Sequence, residues 1–127
     1  MCIRDSYLTA NGDNGNDNIN IRLRHSYGKD SATVNADGGS GNDSININGS
    51  ENQVGTNINI SGGTGNDNIT VSETSAGRFA HATSNYGFSN VVIDAGSDDD
   101  TITVQGSLNT SITTGSGSDT IRLTAHQ

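Results

Sequence analysis

The chain has 127 residues, the size of one ordinary domain, but only 29% of them are apolar and 4% aromatic, too few for a conventional globular core. A formal net charge of −8 and a pI near 4.4 exclude nucleic acid and anionic membranes as natural partners and suit divalent cations. A chain this polar stays disordered unless something besides apolar burial holds it, since too little area is buried to offset chain entropy.

The first six residues, Met1-Cys2-Ile3-Arg4-Asp5-Ser6, back-translate to a sequence resembling the mosaic-end adapter of transposon-made sequencing libraries. They are therefore expected to be a sequencing artefact and are set apart from the fold. Residues 7–127 are then expected to form a single fragment, truncated at both ends, whose one cysteine has gone with the hexapeptide. Without a disulfide or thiolate site, oxygen ligands are the staple that remains. No apolar run approaches the ~20 residues of a spanning helix, so no membrane insertion is expected.

From residue 7 onward a strand-turn-strand block of 14 residues recurs five times in one register. The first turn is Gly12-Asp13-Asn14-Gly15-Asn16-Asp17 and the second Gly38-Gly39-Ser40-Gly41-Asn42-Asp43. Gly62-Gly63-Thr64-Gly65-Asn66-Asp67 forms the third, Ala95-Gly96-Ser97-Asp98-Asp99-Asp100 the fourth, and Thr114-Gly115-Ser116-Gly117-Ser118-Asp119 the fifth. Ahead of the turns, inward columns are Leu8, Val34, Ile58, Val91 and Thr110, then Ala10, Ala36, Ile60, Ile93 and Ile112. Behind them come Ile19, Ile45, Ile69, Ile102 and Ile121, then Ile21, Ile47, Val71, Val104 and Leu123. All 11 isoleucines outside the hexapeptide fall in these columns, separated by mostly polar residues, as period-2 alternation in a half-buried strand requires. Like residues repeating from block to block predict parallel sheets in which each strand lies on its equivalent in the next coil. The expected fold is all-β, a right-handed parallel β-helix or β-roll solenoid of about five irregular coils, because the links between blocks are 12, 10, 19 and 5 residues long.

Glycine reaches positive φ without steric cost, so these turns can curl carbonyl oxygens toward one point while an aspartate closes the cage. Calcium takes roughly 6 to 8 oxygen ligands, more than one six-residue turn supplies, so the expected site lies between two stacked turns. The turns resemble the repeat-in-toxin (hemolysin-type) calcium-binding family, with its nonapeptide G-G-x-G-x-D-x-U-x; the resemblance spans the five blocks, and two copies match the first eight positions perfectly. It implies Asp17, Asp43, Asp67, Asp100 and Asp119 as carboxylate ligands. Carbonyls would come from Gly12, Gly15, Gly38, Gly39, Gly41, Gly62, Gly63, Gly65, Gly96, Gly115 and Gly117. Five turns leave four gaps, and four Ca²⁺ ions would neutralise the charge of −8. Asp13, Ala95, Asp98 and Thr114 depart from the glycine pattern, and Asp98 is expected to adopt a left-handed conformation. The alternative is that the turns serve geometry alone.

Two links carry other chemistry. Arg22, Arg24, His25, Tyr27 and Lys29 form a basic and aromatic stretch, and the 72–90 link holds Glu73, Arg78, Phe79, His81, Tyr86 and Phe88. Either is a place for a surface glycan, or a solvated face and an aromatic cover for the core. The carboxylate run Asp98-Asp99-Asp100 falls in a turn, and His25, His81 and His126 are scattered, so no catalytic constellation is expected. The expected function is a calcium-binding structural segment, spacer or adhesin-like, of a large secreted or surface-exposed bacterial protein. The alternatives are a calcium-dependent carbohydrate- or ice-binding module, the glycan held by the link loops and ice by the turn columns from Asn14 and Asn16, or the auxiliary repeat of a secreted protease or polysaccharide-modifying enzyme.

Overall fold

The computed structural model describes residues 7–23, 33–50, 57–74, 90–105 and 110–124. The hexapeptide, the histidines and the aromatic residues of both links lie outside these segments. The described residues form ten strands and no helix, and so contain none able to cross a membrane. The strands are β1 (Tyr7–Asn11), β2 (Asn18–Leu23), β3 (Thr33–Ser40), β4 (Ser44–Ser50), β5 (Asn57–Thr64), β6 (Asn68–Thr74), β7 (Asn90–Ser97), β8 (Thr101–Gln105), β9 (Thr110–Thr113) and β10 (Thr120–Thr124).

Odd-numbered strands make one five-stranded sheet in the order β1-β3-β5-β7-β9, and even-numbered strands make the other in the order β10-β8-β6-β4-β2. Every strand pairing within them is parallel. The chain therefore changes sheets at each Gly-Asp turn and returns one strand further along. A strand, its turn and the following strand are called a rung below.

The inward columns pair as the alternation predicts. Leu8 lies beside Val34, Val34 beside Ile58, Ile58 beside Val91 and Val91 beside Thr110. On the other sheet Ile19, Ile45, Ile69, Ile102 and Ile121 follow one another in the same way. Except for Thr110, Ile121 and Leu123 of the last rung, which are exposed, these side chains and their neighbours two residues away make one apolar cluster drawn from both sheets. Ile45, Ile58, Ile69 and Ile102 have no exposed surface, and each such burial contributes about 1.5–3 kcal/mol. Outward positions are polar and partly laddered. Asn59 Nδ2 donates to Asn35 Oδ1 at 3.1 Å and Asn90 Nδ2 to Asn57 Oδ1 at 2.8 Å. Val92 and Tyr7 are exposed exceptions.

Parallel pairing needs every backbone amide, which is why a chain without proline suits it. The pairing also runs into the turns. Gly39 pairs with Gly63 and Gly63 with Gly96, so the turns stack as closely as the strands do.

Candidate metal centre

The turn backbone has one plan in all five rungs. The second residue of each turn (Asp13, Gly39, Gly63, Gly96, Gly115) and the fourth (Gly15, Gly41, Gly65, Asp98, Gly117) have positive φ. Asp13 at 75° and Asp98 at 83° are the two that are not glycine. Aspartate tolerates this region better than most residues, at a modest steric cost. Asp98 offsets part of it, because its Oδ2 accepts the Gly65 amide at 3.1 Å.

The first residue of each turn does not have positive φ, so where it is glycine, at Gly12, Gly38 and Gly62, the cause is different; Ala95 and Thr114 stand there in the last two turns. A Cβ on Gly12 would come within 2.5 Å of both Asp17 Oδ2 and the Gly38 carbonyl oxygen. On Gly38 it would stand 2.5 Å from Asp43 Oδ2 and 2.6 Å from the Gly62 oxygen, and on Gly62 it would meet Asp67 Oδ2 and the Ala95 oxygen. In these three turns glycine leaves room for the carboxylate and the carbonyl. In each case the turn's own carboxylate and a carbonyl of the next turn converge on one spot. For Gly12 the two oxygens are no more than twice 2.5 Å, about 5 Å, apart. Two ligands of one calcium ion, each 2.3–2.6 Å from it, span no more than about that distance.

Each aspartate uses its two oxygens differently. Oδ1 reaches to the preceding rung: Asp17 N donates to Asp43 Oδ1 at 2.8 Å, Asp43 N to Asp67 Oδ1 at 2.9 Å, Asp67 N to Asp100 Oδ1 at 2.9 Å and Asp100 N to Asp119 Oδ1 at 3.0 Å. These bonds set the five carboxylates directly over one another across sequence separations of 26, 24, 33 and 19 residues. The Oδ2 atoms of Asp17, Asp43, Asp67 and Asp100 are buried and accept no hydrogen bond. A buried carboxylate oxygen without a partner is costly, which calls for a proton or a cation at that place.

The charges oppose one another along the column. Desolvation by burial raises the Asp67 pKa from 3.8 to about 6, and the carboxylates of Asp100, Asp43 and Asp98 push it the same way, against the lowering effect of the Asp43 amide. Asp100 is also raised, again chiefly by burial and then by Asp119, Asp98 and Asp99, while the Asp67 amide acts against this.

The fifth turn residue makes a second ladder, running in the opposite sense. Asn16 Oδ1 accepts the Asn42 amide at 2.8 Å, Asn42 Oδ1 that of Asn66 at 2.9 Å, Asn66 Oδ1 that of Asp99 at 3.0 Å and Asp99 Oδ1 that of Ser118 at 2.8 Å. The sequence offers this column as a binding surface, but its acceptors are engaged within the stack. Ser40 Oγ likewise donates to Asn14 Oδ1 at 2.6 Å. The run Asp98-Asp99-Asp100 is split among three directions: Asp98 bonds the third rung, Asp99 the fifth, and Asp100 turns into the interior.

Among the described residues no three His, Cys, Asp or Glu side chains cluster as a metal site by themselves. The arrangement is one carboxylate per turn with backbone oxygens around it, a hard-oxygen donor set that fits calcium or a similar cation rather than a soft metal. The expected carbonyls are all from glycine, and the structure puts the Ala95 oxygen beside Gly62 where Gly38 and Gly62 put theirs in the earlier turns. A carbonyl needs no particular side chain, so the residue type carries no signal for it. No protein-family model, curated protein or solved structure matches this chain.

Proposed function

We propose that this chain is a calcium-binding structural repeat segment, folded as a right-handed β-roll solenoid like the repeat-in-toxin family it resembles, from a large secreted or surface-exposed bacterial protein. One observation carries the reading: a buried carboxylate oxygen without a hydrogen-bond donor recurs at the same place in four successive turns. Three of these, on Asp17, Asp43 and Asp67, face a carbonyl of the next turn across a glycine. Asp17, Asp43, Asp67, Asp100 and Asp119 would hold the ions with turn carbonyls, one ion in each of up to four gaps. Bound calcium supplies positive charge between carboxylates that otherwise repel, and folding energy is thereby coupled to the ion. At ten times its Kd, each site adds about 1.4 kcal/mol to stability, and weak sites with Kd near 10⁻⁴ to 10⁻³ M fill only where calcium is millimolar, outside cells.

A second reading has its own support. The Oδ1 hydrogen bonds knit the turns without any ion, so the aspartates can act as a ladder that serves the turn geometry alone. Circular dichroism of the purified chain at neutral pH, in calcium and then in chelator, separates the two. A β spectrum that collapses toward coil on chelation supports calcium. A spectrum identical in both, with no heat of binding in calorimetry, leaves only the metal-free ladder. Engagement of the Asn16 column within the stack weighs against an ice- or glycan-binding role for the turn side.

A further inference from the structure

We propose that only three of the four gaps take a cation, because in the fourth turn the methyl group of Ala95 stands where the ion would. The inference rests on the calcium reading and fixes its stoichiometry. In the first three turns the place between the turn's own carboxylate and the next turn's carbonyl is open because Gly12, Gly38 and Gly62 have no Cβ. A Cβ on each would meet Oδ2 of Asp17, Asp43 or Asp67 together with the oxygen of Gly38, Gly62 or Ala95. A Cβ and an ion held by those two oxygens therefore compete for one position. The buried Oδ2 of Asp100 matches the other three, so the carboxylate alone does not make the site; the open place beside it does.

Ala95 holds the equivalent position and carries that Cβ. Ser61 pairs with Asp94 and Gly63 with Gly96, so Ala95 lies beside Gly62 in the sheet. Its φ is not positive, as at Gly38 and Gly62, and its carbonyl oxygen stands to Gly62 as the Gly62 oxygen stands to Gly38. With the backbone in register its methyl is directed into the fourth gap, and the residue has no exposed surface. One residue thus supplies an oxygen to the third gap and a carbon to the fourth. The fourth gap does not widen to hold both. The amides of Ser44, Asn68, Thr101 and Thr120 donate to the carbonyls of Asp17, Asp43, Asp67 and Asp100 at 2.8 Å in every case. Carbon atoms in contact stand about 3.5–4.0 Å apart, whereas calcium needs its oxygens at about 2.3–2.6 Å, so a methyl packed there leaves the ion no room. No other carboxylate of the turn builds a replacement: Asp98 Oδ2 accepts the Gly65 amide and Asp99 Oδ1 that of Ser118. Asp100 is then a link of the hydrogen-bond ladder and not the ligand of a fourth ion.

Titration calorimetry of the full chain with calcium chloride counts the ions. The wild type is expected to bind three, and Ala95→Gly, which removes the methyl, is expected to bind four. Asp100→Asn keeps an oxygen to accept the Asp67 amide and is expected to bind three like the wild type, whereas Asp67→Asn is expected to bind two. The Asp100 and Asp67 variants decide the matter even if Ala95→Gly does not fold. Four ions on the wild type, a folded Ala95→Gly that gains no site, or an Asp100→Asn that loses one would each overturn this inference and leave the calcium reading standing. Absence of binding in every form would overturn both.

Discussion

Replacing Asp67 by asparagine separates the carboxylate's charge from its shape. The amide oxygen of Asp67→Asn can still accept the Asp43 amide, now made at 2.9 Å, and its NH₂ takes the place of the buried Oδ2. In the metal-free protein the substitution removes a charge that the fold opposes. The Asp67 pKa rises from 3.8 to about 6 on folding, equivalent to about 3 kcal/mol. The folded form holds the proton more tightly, so this group costs nothing below its unfolded pKa. Its destabilisation then grows as pH rises from 3.8 to about 6 and is complete above that. At pH 7.5 in chelator, Asp67→Asn is thus expected to stabilise the fold by up to about 3 kcal/mol. In saturating calcium it loses a charged ligand and turns an NH₂ toward the region of the Ala95 carbonyl, so it should forfeit the roughly 1.4 kcal/mol that one site supplies at ten times its Kd. The assay is folding induced by trimethylamine N-oxide, followed by circular dichroism, with and without calcium at pH 5 and 7.5. It works whether or not the metal-free chain is folded in buffer. The midpoint should move toward easier folding for the variant in chelator at pH 7.5, about half as far at pH 5, and calcium should shift the wild type more than the variant. Equal destabilisation of the variant in calcium and chelator would refute the electrostatic reasoning, since only packing would then have been lost.

Gly38→Ala places a Cβ 2.5 Å from Asp43 Oδ2, and is expected to lower the calcium stoichiometry by one in titration calorimetry while the β spectrum at high calcium persists, as Ala95 already occupies this position in the fourth turn. Asp13→Gly relieves a positive φ of 75° in an exposed residue and should raise the thermal midpoint, by about 1 kcal/mol of stability. Ile69→Ala removes a side chain with no exposed surface and should cost about 2–5 kcal/mol in chemical denaturation. Ile121→Ala, in the same column but 47% exposed, should cost well under half as much.

What the amino-acid order determined by itself was the repeating unit and its register. Strand side chains alternate with period two, so a block of constant length, with isoleucine always in phase, admits one alignment; a slip of a single residue would turn Ile45 and Ile69 to water. The pairing of Ile19 through to Ile121, and the stacking of the five aspartates, were legible for that reason. The positive φ of Asp98 was legible as well, because its place in the turn demanded it.

Only the tertiary structure decided what each atom of those residues faces. A sequence does not say which carboxylate oxygen takes the amide of the neighbouring rung and which is left buried and alone, since both belong to one side chain. Nor does it distinguish a glycine kept for its φ, as at Gly39, from one kept for room, as at Gly38, because the same letter answers both needs. The two ladders run in opposite senses, the side chain of the fifth turn residue accepting from the following rung and that of the sixth from the preceding one. That direction is set by neighbours two dozen residues away in the chain.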